Sequence, residues 1–184
     1  MPTLALVLFL FPLAYSPGPG NMTFAANAAR FGFRATIPAT IGYHLATWVV
    51  TLAIGLGLSL QGGGVARAMQ AVGAAYVLWL AWGLARAGKT GLAEARPMGA
   101  GGGALLLVLN PKAYAIIALM FTQFPGDAAW VTWVTTVFTL NNLIAFAAWS
   151  LLGARLARLF DARSANAVLA AMLAGIAIWM LVAA

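Results

Sequence analysis

The stretch Tyr15-Ser16-Pro17-Gly18-Pro19-Gly20-Asn21 interrupts an apolar run that extends from Thr3 to Ala29. Two prolines remove backbone donors and two glycines admit irregular dihedrals, so no regular helix passes through it. Pro17 sits more than ten residues from either end of the run, about half of the ~20 that a helix needs to cross a bilayer. The break therefore falls deep in a span. A second break, Asn110-Pro111-Lys112, sits equally deep in the run 100–124. Both read as the start of a new helix, with Ser16 or Asn110 as N-cap and proline in the first helical position. Such an end presents unpaired N–H groups and a partial positive charge, an arrangement suited to a carboxylate. Irregular backbone at that depth is tolerated only where protein or a water-filled cavity satisfies it.

Outward from these breaks, the apolar runs define six spans at 3–29, 36–60, 67–86, 100–124, 129–153 and 165–183. The chain is 64% apolar and only 7% charged, against roughly 25% charge in a soluble domain, so it cannot clothe a water-facing surface. The runs are unbroken and twice as long as the alternating segments of a transmembrane barrel. The fold class is all-α integral membrane, a single membrane domain over 1–184. No basic n-region and no small-x-small cleavage site accompany residues 1–15, which read as the start of span one.

The charge lies in the connections. Arg30 and Arg34 follow span one; Arg86, Lys89 and Arg96 follow span three with Glu94; Arg155, Arg158 and Arg163 follow span five with Asp161. The other two connections, Gln61–Ala66 and Pro125–Ala128, are bordered by one basic residue, Arg67, and contain Asp127. Eight basic residues against one place the three basic connections in the cytoplasm and both termini outside. The net charge of +7 is thus a mark of topology, with no nucleic-acid partner implied. Trp79, Trp82, Trp130, Trp133, Trp149 and Trp179 fall towards span ends, as interfacial rings do; Trp48 does not.

Two groups of three spans must have opposite orientations. Repeat one (1–90) and repeat two (98–184) superpose in organisation under a shift of 94, which carries Ser16-Pro17 onto Asn110-Pro111. Matched interruptions in inverted halves point to a transporter's binding site near the midplane. Ser16, Pro17, Gly18, Pro19, Asn21, Asn110, Pro111, Lys112, Asn141 and Asn142 form the candidate substrate site. Lys112 is a cation inside a span, placed to meet a substrate carboxylate, to exchange a proton, or to cap carbonyls at the first break. His44, the lone histidine, has the ordinary pKa of about 6.5 that suits a proton carrier, and equally suits hydrogen-bonded packing. Adjacent Asn141 and Asn142 point in different directions on a helix, so at most one faces a cavity squarely. Asp127 reads as solvated by its loop. Ala167, Ala171 and Gly175 permit close helix approach within the bundle or in a homodimer.

The residues assembled so far resemble the LysE-type translocators, the lysine exporter and homoserine/threonine resistance group. The likeness rests on Ser16-Pro17-Gly18-Pro19, on Gly32 and Gly42 with Ala46, and on Asn110-Pro111-Lys112-Ala113-Tyr114 through Gln123-Phe124. It covers nearly the whole chain. In this chain Gly20 separates the second proline from Asn21, where the family usually has Asn or Ser directly. Ala46 replaces a frequent glycine. The resemblance implies export of amino acids or related small molecules from the bacterial cytoplasm across the inner membrane, driven by the proton gradient, with no cofactor and no enzymatic activity.

Other functions fit less well. Cation or metal transport on the same scaffold wants carboxylates or paired histidines. The absence of cysteine removes thiol-shuttling redox chemistry, and no Walker A loop is present for ATP. A non-transporting membrane subunit is the remaining alternative. The expected partners are the lipid bilayer and a carboxylate-bearing small molecule.

Overall fold

The computed structural model describes residues 2–57, 75, 78, 79, 81, 82, 96–159 and 162–182. Among them run α1 (Pro2–Tyr15), α2 (Pro19–Phe31), a 3-10 turn (Phe33–Thr36), α3 (Ile37–Gly55), α4 (Ala100–Val108), α5 (Pro111–Gln123), α6 (Ala128–Leu159) and α7 (Ala162–Val182). Most of the expected span 67–86 lies outside the described residues, as do Gln61–Ala66, Lys89, Glu94 and Asp161.

Among the described residues, two helices, Phe33–Gly55 and Ala128–Ala157, are long and apolar enough to cross a bilayer alone. Thr3–Tyr15 with Pro19–Phe31, and Ala100–Val108 with Pro111–Gln123, are long enough only as pairs, bent by 62° and 61° at their breaks. The protein is an all-helical membrane protein.

The first break starts its new helix two residues later than expected. Gly18, in extended backbone, is the N-cap of α2 and Pro19 its first residue, whereas Ser16 trails the end of α1. The residue before a proline is pushed out of helical dihedrals. Gly18 precedes Pro19, so the helix can begin only at Pro19. The register between halves changes accordingly: Pro19 aligns with Pro111, a shift of 92, and α2 and α5 each span 13 residues. Helix α3 also ends early, at Gly55, where the 3-10 bond from Gly57 N to Ile54 O and the positive φ of Gly57 (90°) turn the chain. Helix α6 runs on to Leu159, six residues past the expected end, which carries Arg155 on a helix whose C-terminal dipole favours a cation.

Helix α6 lies along α2 and, less extensively, along α1 and α3, while α3 lies chiefly along α4. Glycines make the closest crossings. A Cβ at Gly42 would overlap the Ala100 carbonyl, one at Gly103 the Ala39 carbonyl, and one at Gly153 the Ala25 carbonyl. Two buried clusters divide the thickness of the bundle. Leu6, Leu10, Ile117, Met120 and Phe138 join α1, α5 and the first half of α6. Met22, Phe24, Tyr43, Leu106, Phe146 and Leu173 join α2, α3, α4, the middle of α6 and α7. The breaks fall where the two clusters meet. Helix α7 packs inward through Ala170 and Leu173, leaving Ala167, Ala171 and Gly175 exposed.

Candidate functional site

Helix α1 stops in the middle of the bundle, and its last carbonyls lose their intrahelical donors there. Every carbonyl from Pro12 to Pro17 nonetheless has one. Ser16 serves the first two, through its backbone N to Pro12 O (3.2 Å) and its hydroxyl to Leu13 O (3.1 Å). Asn21 Nδ2 donates to Ala14 O and to Ser16 O, both at 2.8 Å. Trp149 Nε1 reaches Tyr15 O from α6 at 3.1 Å. Lys112 Nζ, from the first turn of α5, donates to Ser16 O (2.8 Å), Ser16 Oγ (2.9 Å) and Pro17 O (3.4 Å). Of the roles expected for Lys112, capping the first break is the one its contacts display. An ammonium has three donors, and all three are engaged. Its position is unfavourable for the dipole of α5 and favourable for the C-terminal end of α1. Trp149, expected as an interfacial ring, is turned into the break.

The two new helices begin beside this junction. The first intrahelical bond of α2 runs from Met22 N to Gly18 O (2.9 Å), so the N–H groups of Gly20 and Asn21 have no acceptor in their own helix. In α5, Asn110 is the N-cap and Pro111 the first residue, as expected. The Asn110 side chain makes no capping bond. Its Nδ2 donates to Tyr43 Oη at 3.1 Å, and its Oδ1, in a residue only 4% exposed, has no partner. The side chain of Asn142 interacts with the same hydroxyl.

Gly20, Asn21, Tyr43, Asn110, Lys112 and Asn142 line one cavity, closed by Phe138 and Phe146. None of the residues lining it is acidic. It has about 20 Å³ of room for the centres of water-sized spheres, enough for a single water. Tyr43 and Phe146 stand side by side in its wall, ring centroids 4.5 Å apart, with Phe24 packed edge-on behind them at 5.8 and 4.8 Å. Two glycines keep the ends open to one another. A Cβ at Gly18 would lie 2.8 Å from Lys112 Cδ, and one at Gly20 2.6 Å from Phe146 Cζ.

Other candidates stand further back. Asn141 is buried with Nδ2 unpartnered and lines neither this cavity nor the recess described below, so the adjacent asparagines do diverge. His44 packs edge-on against Phe146 at 5.2 Å, one layer behind the wall. Its Nδ1 bonds Thr40 O at 2.8 Å; a carbonyl only accepts, so Nδ1 carries the proton. Nε2 is left buried, towards the Asn142 backbone but outside hydrogen-bonding geometry. Asp127, expected to be solvated, accepts from Trp130 N at 2.9 Å and caps α6. Among the described residues, no three His, Asp or Glu side chains gather as a metal site would require. Tyr43 was not singled out by the sequence reading. A tyrosine far from either end of a span must find a partner for its hydroxyl, and that was the available signal.

Residues 11–184 of the chain are matched by the model of the LysE type translocator family. The chain belongs to that family. A translocator moves its cargo without making covalent bonds, so this chain is not an enzyme. Similar proteins include the cysteine/O-acetylserine efflux protein of Escherichia coli (strain K12), 30% identical over 185 residues and 94% of each chain. The protein of that description from Salmonella typhimurium (strain LT2) is 32% identical over 170 residues, 87% of each chain. Its counterpart from Shigella flexneri is 30% identical over 171 residues, again 87% of each. No solved structure matches the chain.

Proposed function

We propose that this LysE-type translocator exports small amino acids with uncharged side chains, of the size and polarity of cysteine and O-acetylserine, in exchange for protons. The observation that carries the reading is the meeting of two broken helices, N-terminal end to N-terminal end, around one cavity. The free N–H groups of Gly20 and Asn21 and the Lys112 ammonium suit a substrate carboxylate; Asn110 Oδ1 suits an ammonium. With no acid in the lining, a basic side chain has no counter-ion there. Two inverted three-helix repeats support the mechanism: α1 shares its buried cluster with α5, and α2 shares one with α4, as antiparallel broken spans would. The near-equal bends of 62° and 61° fit the same arrangement.

The cavity has room for one water, so loading requires the two ends to part, with Lys112 leaving the Ser16 carbonyl. His44 is the proposed proton carrier, because its Nε2 is an acceptor without a partner. The orientation follows the charge, with basic connections in the cytoplasm. The test is efflux of labelled O-acetylserine and cysteine from reconstituted vesicles with and without a pH gradient, for the wild type and His44→Gln. Gradient-driven efflux that loses its pH dependence in His44→Gln is expected. No efflux of any amino acid from intact protein would overturn the export reading; unchanged pH dependence in His44→Gln would remove His44 from coupling.

A further inference from the structure

A second, larger recess adjoins the junction. It is lined by Ser16, Pro17, Gly18, Pro19 and Lys112 from the breaks and by Met172 and Gly175 from α7, with about 510 Å³ of room for water-sized spheres. That lies within the ~300–1,000 Å³ typical of small-molecule sites, unlike the inner cavity. The two share only two residues, Gly18 and Lys112. The wall between them is therefore one side chain lying across a glycine: a Cβ at Gly18 would come within 3.0 Å of Lys112 Nζ.

The recess must hold water. Pro17 is exposed in it, its carbonyl bonded only to Lys112 at 3.4 Å, and both belong to non-helical or charged groups. Helices of 14 and 13 residues, roughly 20 Å each, extend from the break on either side, so it lies at membrane depth. Lipid cannot satisfy a bare backbone or an ammonium there.

We infer that this recess is an aqueous vestibule that receives the substrate by its carboxylate, and that Lys112 is the gate between it and the inner cavity. The ammonium is held by a hydroxyl and two carbonyls, neutral acceptors that a carboxylate arriving in the vestibule outcompetes through a charge-assisted bond. Exchange of one for the other withdraws the side chain from Ser16 and opens the wall. The carboxylate thus opens its own way inward. The inference rests on the export reading for what the vestibule receives.

The chain contains no cysteine, so single cysteines report on the recess without background. A side chain at Gly175 would meet nothing within 4 Å, which makes Gly175→Cys well tolerated; Met172→Cys is the second probe. Methanethiosulfonate reagents react with a hydrated thiolate, so labelling reads water as well as charge. The anionic sulfonatoethyl reagent is expected to modify Gly175→Cys on the order of tenfold faster than the cationic trimethylammonioethyl one. Adding Lys112→Met should bring the ratio to parity or below, Lys112→Arg should keep it, and O-acetylserine should slow the anionic reagent several-fold.

Failure of both reagents at both positions would overturn the vestibule, as lipid or a second copy would then cover it. Equal rates that ignore Lys112→Met would overturn the role of Lys112. The reagent ratio on Gly175→Cys alone decides the charge of the recess, so the test does not depend on Lys112→Met folding. Efflux without a charge preference would sink the vestibule and spare the exporter; a charge preference without efflux of any amino acid would do the reverse.

Discussion

The carbonyl oxygen of Ser16 receives two donors at 2.8 Å, Asn21 Nδ2 from the start of α2 and Lys112 Nζ from the start of α5. Neighbouring carbonyls have one each, Ala14 O from Asn21 and Tyr15 O from Trp149. A buried acceptor stripped of its donor costs about 1–3 kcal/mol, and lipid offers no substitute. Asn21→Leu, close in volume, strands Ala14 O and leaves Ser16 O to Lys112, so a loss of about 1–3 kcal/mol is expected. Trp149→Phe keeps most of the ring and strands Tyr15 O, with a similar expected loss of ~1–3 kcal/mol. Both should appear as lower unfolding midpoints in detergent. Midpoints equal to the wild type would mean that water already serves these carbonyls. Asn21, read from the sequence as a substrate ligand, thus spends its side chain on the broken helix, and its backbone N–H is the group left without an acceptor in its own helix.

At the scale of elements, both breaks were legible in the sequence because proline and glycine act locally. The start of α2 was placed two residues early, at Ser16-Pro17, although the rule that excludes helical dihedrals before Pro19 needs no tertiary information. The partners of the breaks were not legible. That Trp149 reaches Tyr15, and that Asn110 lies against Tyr43, depends on how α6 and α3 cross the broken pairs, and single-sequence periodicity is silent on crossings. Gly42 and Gly103 show the difficulty: which helix meets each of them is fixed only in the bundle. Their crossing gives a pair of opposed expectations on one interface. Gly42→Ala drives a Cβ into the Ala100 carbonyl, a backbone atom that cannot rotate away, and should destabilise by about 1–3 kcal/mol or more. Gly101→Ala, also in the α3–α4 region, meets nothing within 4 Å and should be neutral or stabilising by up to ~1 kcal/mol. Equal effects in a thermal-unfolding comparison would show that α3 and α4 do not cross where Gly42 meets Ala100.

Over the whole molecule, charge and packing agree on which ends belong together. Met98 N bonds Asn27 Oδ1 at 3.3 Å, which brings the segment bearing Arg96 beside the end of α2 that carries Arg30 and leads into the turn with Arg34. Gly153 packs against Ala25, which brings Arg155 to that same end. At the other end, a Cβ at Gly55 would lie 2.5 Å from Phe121 and 2.6 Å from Val131, so the α5–α6 turn with Asp127 gathers there with the end of α3. The α2–α3 and α5–α6 turns are equivalent positions in the two proposed repeats, and inversion requires them to face opposite sides. In the proposed orientation the excess of basic residues places the first end in the cytoplasm. Arg34 and Ala129 are both exposed, so Arg34→Cys and Ala129→Cys in this cysteine-free chain report on the two turns. On intact cells, a membrane-impermeant maleimide is expected to label Ala129→Cys and spare Arg34→Cys until the membrane is permeabilised. The reverse pattern would keep the inversion and turn the molecule over. Labelling of both from one side would refute the inverted arrangement itself, and with it the argument that the two half-helices enter the cavity from opposite faces.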